Sequence, residues 1–322
     1  MAFCGDSTEL MKKLPDECID LIVTSPPFAL VFKKEYGNPD QSEYVSWFIN
    51  SFGRELYRIL KPTGSLVIDL GGAYQKGMPV RSLTHFELMI ALVKEVGFFL
   101  AQEFYWYNPA KMPAPAEWVT VRRIRVRDSV NPVWWLSKTP YPKADNKRVL
   151  REYSEDMKRL MEKGYRAKER PSGHVITTKW NRNLGGSIPP NVLEITHVDE
   201  QNEILQELLT SNFIRLGNNS ANDRYLQGCR EAGIKPHPAR FPVALPGFFI
   251  NFLTDPDDIV FDPFGGSSAT GAAAEALDRW WFTCEIEPSY VDGAKFRFDL
   301  PVADGAMVES KGQLKLNLDA HD

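Results

Sequence analysis

Two short turns, set about 240 positions apart, constrain the fold of this chain more than any other feature. The first, Thr24-Ser25-Pro26-Pro27-Phe28, follows the largely apolar run Ile19 to Val23. The second, Asp262-Pro263-Phe264-Gly265-Gly266-Ser267, follows the apolar run Ile259 to Phe261. An apolar run of that length, ending in a rigid polar turn, reads as a buried strand. Open α/β sheets bind ligands at the carboxyl ends of such strands. The pattern therefore predicts two ligand-facing turns contributed from opposite ends of the chain.

Residues 1–139 read as alternating strands and helices. Strands are expected over Cys18 to Thr24, Ser65 to Leu70, Phe98 to Tyr107 and Val133 to Ser137. Helices are expected over Tyr44 to Leu60, ended by Lys61-Pro62-Thr63-Gly64, and over Leu83 to Val96, capped by Ser82 and closed by Gly97. From 140 to 235 the texture is polar and basic, with Gly185-Gly186 and Pro189-Pro190 as punctuation, which marks an insert or small second domain. Alternation returns over 236–300, with helices Leu245 to Leu253, Ser268 to Ala276 and Pro288 to Phe298. Strands Asp258 to Asp262 and Trp280 to Glu285 lie between them. The tail, 301–322, is polar and expected to fray.

At 322 residues, 43% hydrophobic and 25% charged, the composition is that of a globular protein. No apolar stretch approaches the roughly 18 residues that span a bilayer, and the first residues carry no secretory pattern. Cys4, Cys18, Cys229 and Cys284 form no CxxC pair and have no His cluster nearby, which predicts buried free thiols, a reducing cytoplasmic setting and no metal.

The net charge of −4 argues against a polyanionic partner until its distribution is considered. Lys111 to Asn183 holds eighteen Lys or Arg against eight Asp or Glu, a net +10, so the rest of the chain carries −14. A basic segment on an acidic protein suits a localised nucleic-acid face, although Asp145 to Arg170 also alternates signs as a solvated helix would. Within the segment, Arg122, Arg123, Arg125 and Arg127 form a run suited to phosphates or to a charged strand edge.

The second turn reads as a nucleoside site. Gly265 and Gly266 allow close backbone approach, and Ser267-Ser268 can cap the following helix. Glu285 ends the next strand, 20 residues after Gly265, where a carboxylate takes ribose hydroxyls. The glycines do not spell GxGxxG, which disfavours a dinucleotide. A nucleoside with an amino-acid tail, S-adenosylmethionine, fits better.

The first turn reads as a catalytic site. Two prolines fix the backbone, so the Ser25 hydroxyl and Pro26 carbonyl can converge on one point. Two acceptors there would hold both hydrogens of an exocyclic amino group and draw its nitrogen toward tetrahedral geometry, freeing a lone pair otherwise delocalised into the ring. Phe28 offers a flat face on which an extruded base can stack. Trp106, Tyr107 and Asn108 end a strand on the same side. His174 and His237 have no visible nucleophile or metal partner, so a structural or cofactor-side role is expected of each.

In this order the two motifs resemble the beta group of amino-group DNA methyltransferases, with the catalytic motif first, a long insert, and the cofactor motif last. The Ser-initiated, Phe-closed first motif resembles the cytosine-N4 members; adenine-N6 members more often begin with Asp or Asn. The likeness extends through Lys33-Lys34-Glu35-Tyr36-Gly37-Asn38, Gly71-Gly72-Ala73-Tyr74, Phe104 to Pro109, Arg170 to His174, Gly185 to Pro190 and His237 to Pro242, covering most of residues 5–298.

The resemblance implies a Rossmann-like α/β sheet, circularly reordered, with an inserted target-recognition region. It implies S-adenosylmethionine as methyl donor and double-stranded DNA as substrate, with base flipping and direct transfer to cytosine N4. Ser25, Pro26, Pro27 and Phe28 would form the catalytic site. Asp6, whose carboxylate would meet the cofactor's adenine, joins Thr24, His237, Phe241, Asp262, Phe264, Gly265, Gly266, Ser267 and Glu285 as the cofactor set. Lys33, Lys34, Arg122, Arg123, Arg125 and Arg127 are the expected DNA contacts.

The reading also allows a dimer, a separate cognate restriction endonuclease, and a nucleoid-associated place in a prokaryotic cytoplasm. Adenine-N6 methylation on the same fold, and a catalytically idle DNA-binding relative, are the competing expectations. Cytosine-C5 chemistry is excluded, because its thiolate generally follows a proline and no Pro-Cys dipeptide occurs. Only four residues precede Gly5, where the family has a longer lead-in strand, so that strand is short or the start lies upstream.

Overall fold

The computed structural model describes residues 1–30, 39–109, 111–164, 183–194, 224–240 and 242–298. Its strands are β1 Ala2–Cys4, β2 Ile19–Thr24, β3 Leu60–Asp69, β4 Phe99–Tyr107, β5 Val130–Ser137, β6 Val192–Glu194, β7 Ile259–Asp262 and β8 Trp280–Glu285. They form one sheet in the order β1-β8-β7-β2-β3-β5-β4-β6. The first five in that order are parallel. β5 runs antiparallel to β3 and β4, and β6 joins parallel to β4.

β7 comes from the last quarter of the chain yet lies directly against β2, with Leu21 opposite Val260 and Ile22 opposite Phe261. The circular reordering expected from the motifs is therefore realised in the sheet. Ahead of Gly5, β1 pairs with β8, and the Gly5 N–H donates to the Glu285 carbonyl at 2.9 Å.

β2 is buried along its whole length, so its alternate residues serve two cores. Ile22 joins Met11, Phe48, Leu56 and Leu88 on one face. Leu21 and Val23 meet Phe249, Ile250 and Ala273 on the other. The first face carries α1 Ser7–Lys13, α2 Tyr44–Phe48, α3 Arg54–Ile59 and α4 Thr84–Ala91. A π-helical turn, Ile49–Gly53, joins α2 to α3, so the expected helix from Tyr44 is continuous but locally widened. α4 also ends in such a turn, Leu92–Val96, closed by Gly97 at φ +105°. Ser82 accepts from the Thr84 N–H at 3.3 Å, but the residue in the cap position is Leu83.

Of the insert, the described parts are a single 3-10 turn Asn146–Val149, α5 Glu155–Lys163, the edge strand β6, and α6 Arg224–Glu231. β6 extends the main sheet. α6 packs on the C-terminal helical segment, where a Cβ on Gly228 would fall 2.3 Å from Phe296 Cγ. Across the second face lie α7 Ala244–Leu253 and α8 Ala269–Ala276, while α9 Pro288–Ala294 follows β8. The expected burial of all four thiols holds for Cys229 and Cys284 but not for Cys4, which is exposed at the end of β1. Lys33, Lys34, His174, Phe241 and the tail fall outside the described residues. No described helix is long and apolar enough to cross a membrane.

Candidate active site

Parallel pairing lines up the carboxyl ends of β1, β8, β7, β2 and β3 along one edge of the sheet. A cavity of about 780 Å³ opens along that edge. Asp6, Glu285, Gly265, Ser25 and Asp69 line it, one from the end of each strand in turn. β5 and β4 complete it at the far end with Asn131, Trp106 and Asn108.

Register explains the catalytic turn. Thr24 stands opposite Ile68 on the neighbouring β3, which places Ser25 beside Asp69. The Ser25 hydroxyl donates to Asp69 Oδ2 at 3.3 Å. Phe28 is seated on Gly71, where a Cβ would come within 2.6 Å of its Cε2, so only glycine at 71 leaves room for that ring. Gln41 Nε2 donates to the carbonyls of Ala29 and Tyr74, each at 3.0 Å, and ties the exit of this turn to the loop after β3.

Asp69 is a cavity-lining residue that the sequence reading did not single out. Burial drives its carboxyl from the ordinary 3.8 to about 7, while the Ser25 hydroxyl, the Lys111 charge and the Asn131 amide pull it back. Among the described residues, Oδ1 is buried without a hydrogen-bond partner. A carboxylate closing the apolar run Leu66 to Leu70, at the ligand edge of a parallel strand, was the available signal. Lys111 Nζ donates to Asn131 Oδ1 at 2.6 Å, and burial holds this lysine below its ordinary value. Neither residue was singled out from the sequence.

Thr24 and Asp262 are placed behind the cavity wall rather than on it. Asp262 accepts from Thr24 Oγ1 at 2.7 Å, Thr270 Oγ1 at 2.8 Å and the Phe264 N–H at 3.0 Å. With three donors its carboxylate fixes the second turn to β2 and α8, and burial raises its pKa to about 6. Both glycines of that turn line the cavity, and their missing side chains also make room for protein. A Cβ on Gly265 would sit 2.8 Å from Thr283 Cβ, and one on Gly266, at φ +50°, would sit 3.4 Å from His237 Cε1. Gly265→Ala should therefore cost about 1–3 kcal/mol of stability through overpacking against β8, read as a lowered Tm; an unchanged Tm would contradict that contact.

Nor does Ser268 cap α8. It sits at φ +56° with no side-chain cap bond, its hydroxyl paired with Thr283 Oγ1 at 3.3 Å. Ser267 accepts from Arg297 through both its carbonyl and its hydroxyl.

Glu285 accepts from the N–H groups of Gly266 at 2.8 Å and Glu287 at 3.0 Å, which orients its carboxylate at the cavity edge beside Ile286. Asp6 caps α1 through Oδ1, accepting from the Thr8 N–H and hydroxyl, both at 2.8 Å. Phe264 lies 4.7 Å from Phe52 in an aromatic wall with Trp47 and Phe48. His237 stands edge-on to Tyr290 at 4.5 Å, and burial lowers its pKa to about 4, so it is neutral at working pH.

The arginine run leaves the sheet as an exposed loop after a short π-helical turn, Glu117–Val121, and not as a strand edge. Arg122 pairs with Glu117 and lies over Trp118, and Arg125 donates to the Pro79 carbonyl.

The eight-stranded mixed sheet, with β7 inserted beside β2 and a cavity along the carboxyl ends of its parallel strands, is the Rossmann-like fold of the S-adenosylmethionine-dependent methyltransferases. The chain belongs to the DNA methylase family spanning the N6 and N4 amino enzymes, whose model matches residues 19–296. It is 51% identical over 299 residues to the type II methyltransferase M.PvuII of Proteus hauseri, covering 92% of this chain and 82% of that one. The solved structure of the cytosine-N4-specific PvuII DNA methyltransferase superposes with a TM-score of 0.70 at 43% identity, covering 95% and 87% of the two chains. A complex of M1.HpyAVI with S-adenosylmethionine shares the fold at 18% identity and a TM-score of 0.51, covering 93% and 99%.

Proposed function

We propose that this protein is a site-specific DNA methyltransferase that transfers a methyl group from S-adenosylmethionine to N4 of a cytosine flipped out of duplex DNA. The single observation carrying this reading is the Ser25–Asp69 pair beside Pro26 and Phe28, one strand away from the turn after β7 whose Gly266 N–H holds the Glu285 carboxylate. The cavity suits the cofactor chemically, with carboxylates of Asp6 and Glu285 for amino and hydroxyl groups and Phe264 and Ile286 as apolar faces. Bound S-adenosylmethionine supplies a methyl group already activated by its sulfonium.

The chain's own residues do the rest. Phe28 supports the flipped base, and the Pro26 carbonyl and Ser25 Oγ accept the two amino hydrogens. Ser25 presents its lone pairs because its own proton points to Asp69. As the amino nitrogen gains a bond to carbon it becomes positively charged and sheds one proton to Ser25, whose hydroxyl proton passes to Asp69. A carboxyl with a pKa of about 7 is matched to take that proton at neutral pH.

Incubating unmethylated genomic DNA with the protein and isotope-labelled cofactor, then digesting to nucleosides, tests the reading. Labelled N4-methylcytosine is expected. Labelled N6-methyladenine would overturn the base assignment, and no label in either base would overturn the activity.

Arg123 and Arg127 make no hydrogen bond or ion pair among the described residues, and we assign them to DNA phosphates. Replacing both with Ala should reduce the log–log salt slope of DNA binding by about 2, close to one unit per phosphate released. An unchanged slope would remove them from the interface. A type II restriction-modification setting, with a separate endonuclease of the same specificity and a prokaryotic nucleoid location, follows from this reading; a dimer is compatible with it.

A further inference from the structure

The strand directions require one loop to project from the catalytic edge. β4 and β5 run antiparallel, and β5 is antiparallel to β3, so β4 ends and β5 begins where Asp69 ends β3. The excursion between them, from Asn108 to Ser129, is closed at its base by the Asn108 N–H donating to the Ser129 carbonyl at 2.7 Å. A second clasp, Lys111 to Asn131, lies in the cavity wall itself. Farther out, Arg125 grips the Pro79 carbonyl, and Arg81 pairs with Asp128 at 2.7 Å. The loop is thus anchored on three sides at the mouth of the site.

What this loop carries is unusual for a solvated segment. Over Val121 to Arg127, three apolar β-branched residues are interspersed among four arginines. Val126 is 87% exposed, Val121 69% and Ile124 48%. Solvent alone gives no reason to hold three such side chains among four cations on an anchored loop. A duplex does. Arg123 and Arg127 suit its phosphates, and the apolar side chains suit the space within its stack.

We propose that Val126, with Ile124 beside it, enters the base stack and occupies the gap left when the target cytosine swings into the cavity. The inference rests on the base-flipping reading above. It adds that this loop holds the opened duplex and keeps the orphaned partner base stacked. Extrusion costs unpairing and unstacking, least where the base is already mispaired. A side chain that fills the gap offsets that cost on a matched duplex and has little to offset on a mismatched one.

The test compares single-turnover methylation of two duplexes bearing the mapped target, one fully matched and one with the target cytosine mispaired. I124A/V126A should slow methylation of the matched duplex about tenfold or more and that of the mispaired duplex less than about twofold. V126L should retain most of the matched rate, and the salt slope of binding should be unchanged. Val126 is 87% exposed and Ile124 48%, and an unchanged Tm of the double variant shows that the fold is kept. Equal slowing on both duplexes, or none on either, overturns the gap-filling role while leaving the methyltransferase reading intact. Failure of the unsubstituted protein to methylate either duplex overturns both.

Discussion

Ser25→Ala should lower the methyl-transfer rate by about 100-fold or more, as for an aligned hydrogen-bond partner lost from a preorganised site. The exocyclic nitrogen is a poor nucleophile until its two hydrogens are held out of the ring plane. In the proposed mechanism Ser25 Oγ is one of the two acceptors, and its hydrogen bond to Asp69 is the route for the surplus proton. Cofactor affinity should barely change, because the residues at the cofactor end, Glu285 and Phe264, lie on other strands and turns. Single-turnover rate and cofactor Kd measured side by side check both halves. A wild-type rate would remove Ser25 from the mechanism, and a parallel loss of cofactor binding would recast it as structural.

Asp69→Asn should be comparably severe, with a loss of about 100-fold or more, because the amide cannot accept the proton that Ser25 passes on. The two residues act as a unit, so Ser25→Ala/Asp69→Asn should be little worse than either alone. Stability should move the other way. The folded carboxyl binds its proton more tightly than the unfolded one, at about 7 against 3.8. Its favourable contribution is therefore complete below about pH 3.8 and is lost as pH rises through 7. At pH 8 the native protein carries a buried charge that asparagine does not, so the variant should show a higher Tm there and none of that advantage at pH 4. A lower Tm at pH 8 would mean that the carboxylate is held by contacts worth more than its burial costs.

The sheet was legible from the sequence because its strands are apolar runs with sharp ends. β2 and β7 announce themselves by Ser25-Pro26-Pro27 and Asp262-Pro263, and β8 ends at Glu285 as the spacing predicts. What the turns are made for was less legible. Gly265 and Gly266 look ligand-facing in sequence and do line the cavity, but their packing against Thr283 and His237, from a strand and a loop that only the folded chain brings close, was not legible. Thr24 and Asp262 look like cofactor contacts, yet they bond to each other across two strands. Asp69 escaped notice for the same reason: its role depends on β3 lying in register with β2, a pairing that no local pattern records. Lys111 and Asn131, twenty residues apart, meet only because β4 and β5 end and begin at one edge.

The most direct test of the Ser25–Asp69 mechanism is the pH dependence of the single-turnover rate, measured on wild type and Asp69→Asn with saturating cofactor and DNA. The proton-acceptor role predicts a wild-type rate that rises tenfold per pH unit at acid pH and levels off above about 7, with a slow, flat profile in the variant. A wild-type rate that stays flat through this range, or one that falls as pH rises, would contradict the assignment of Asp69 as the acceptor.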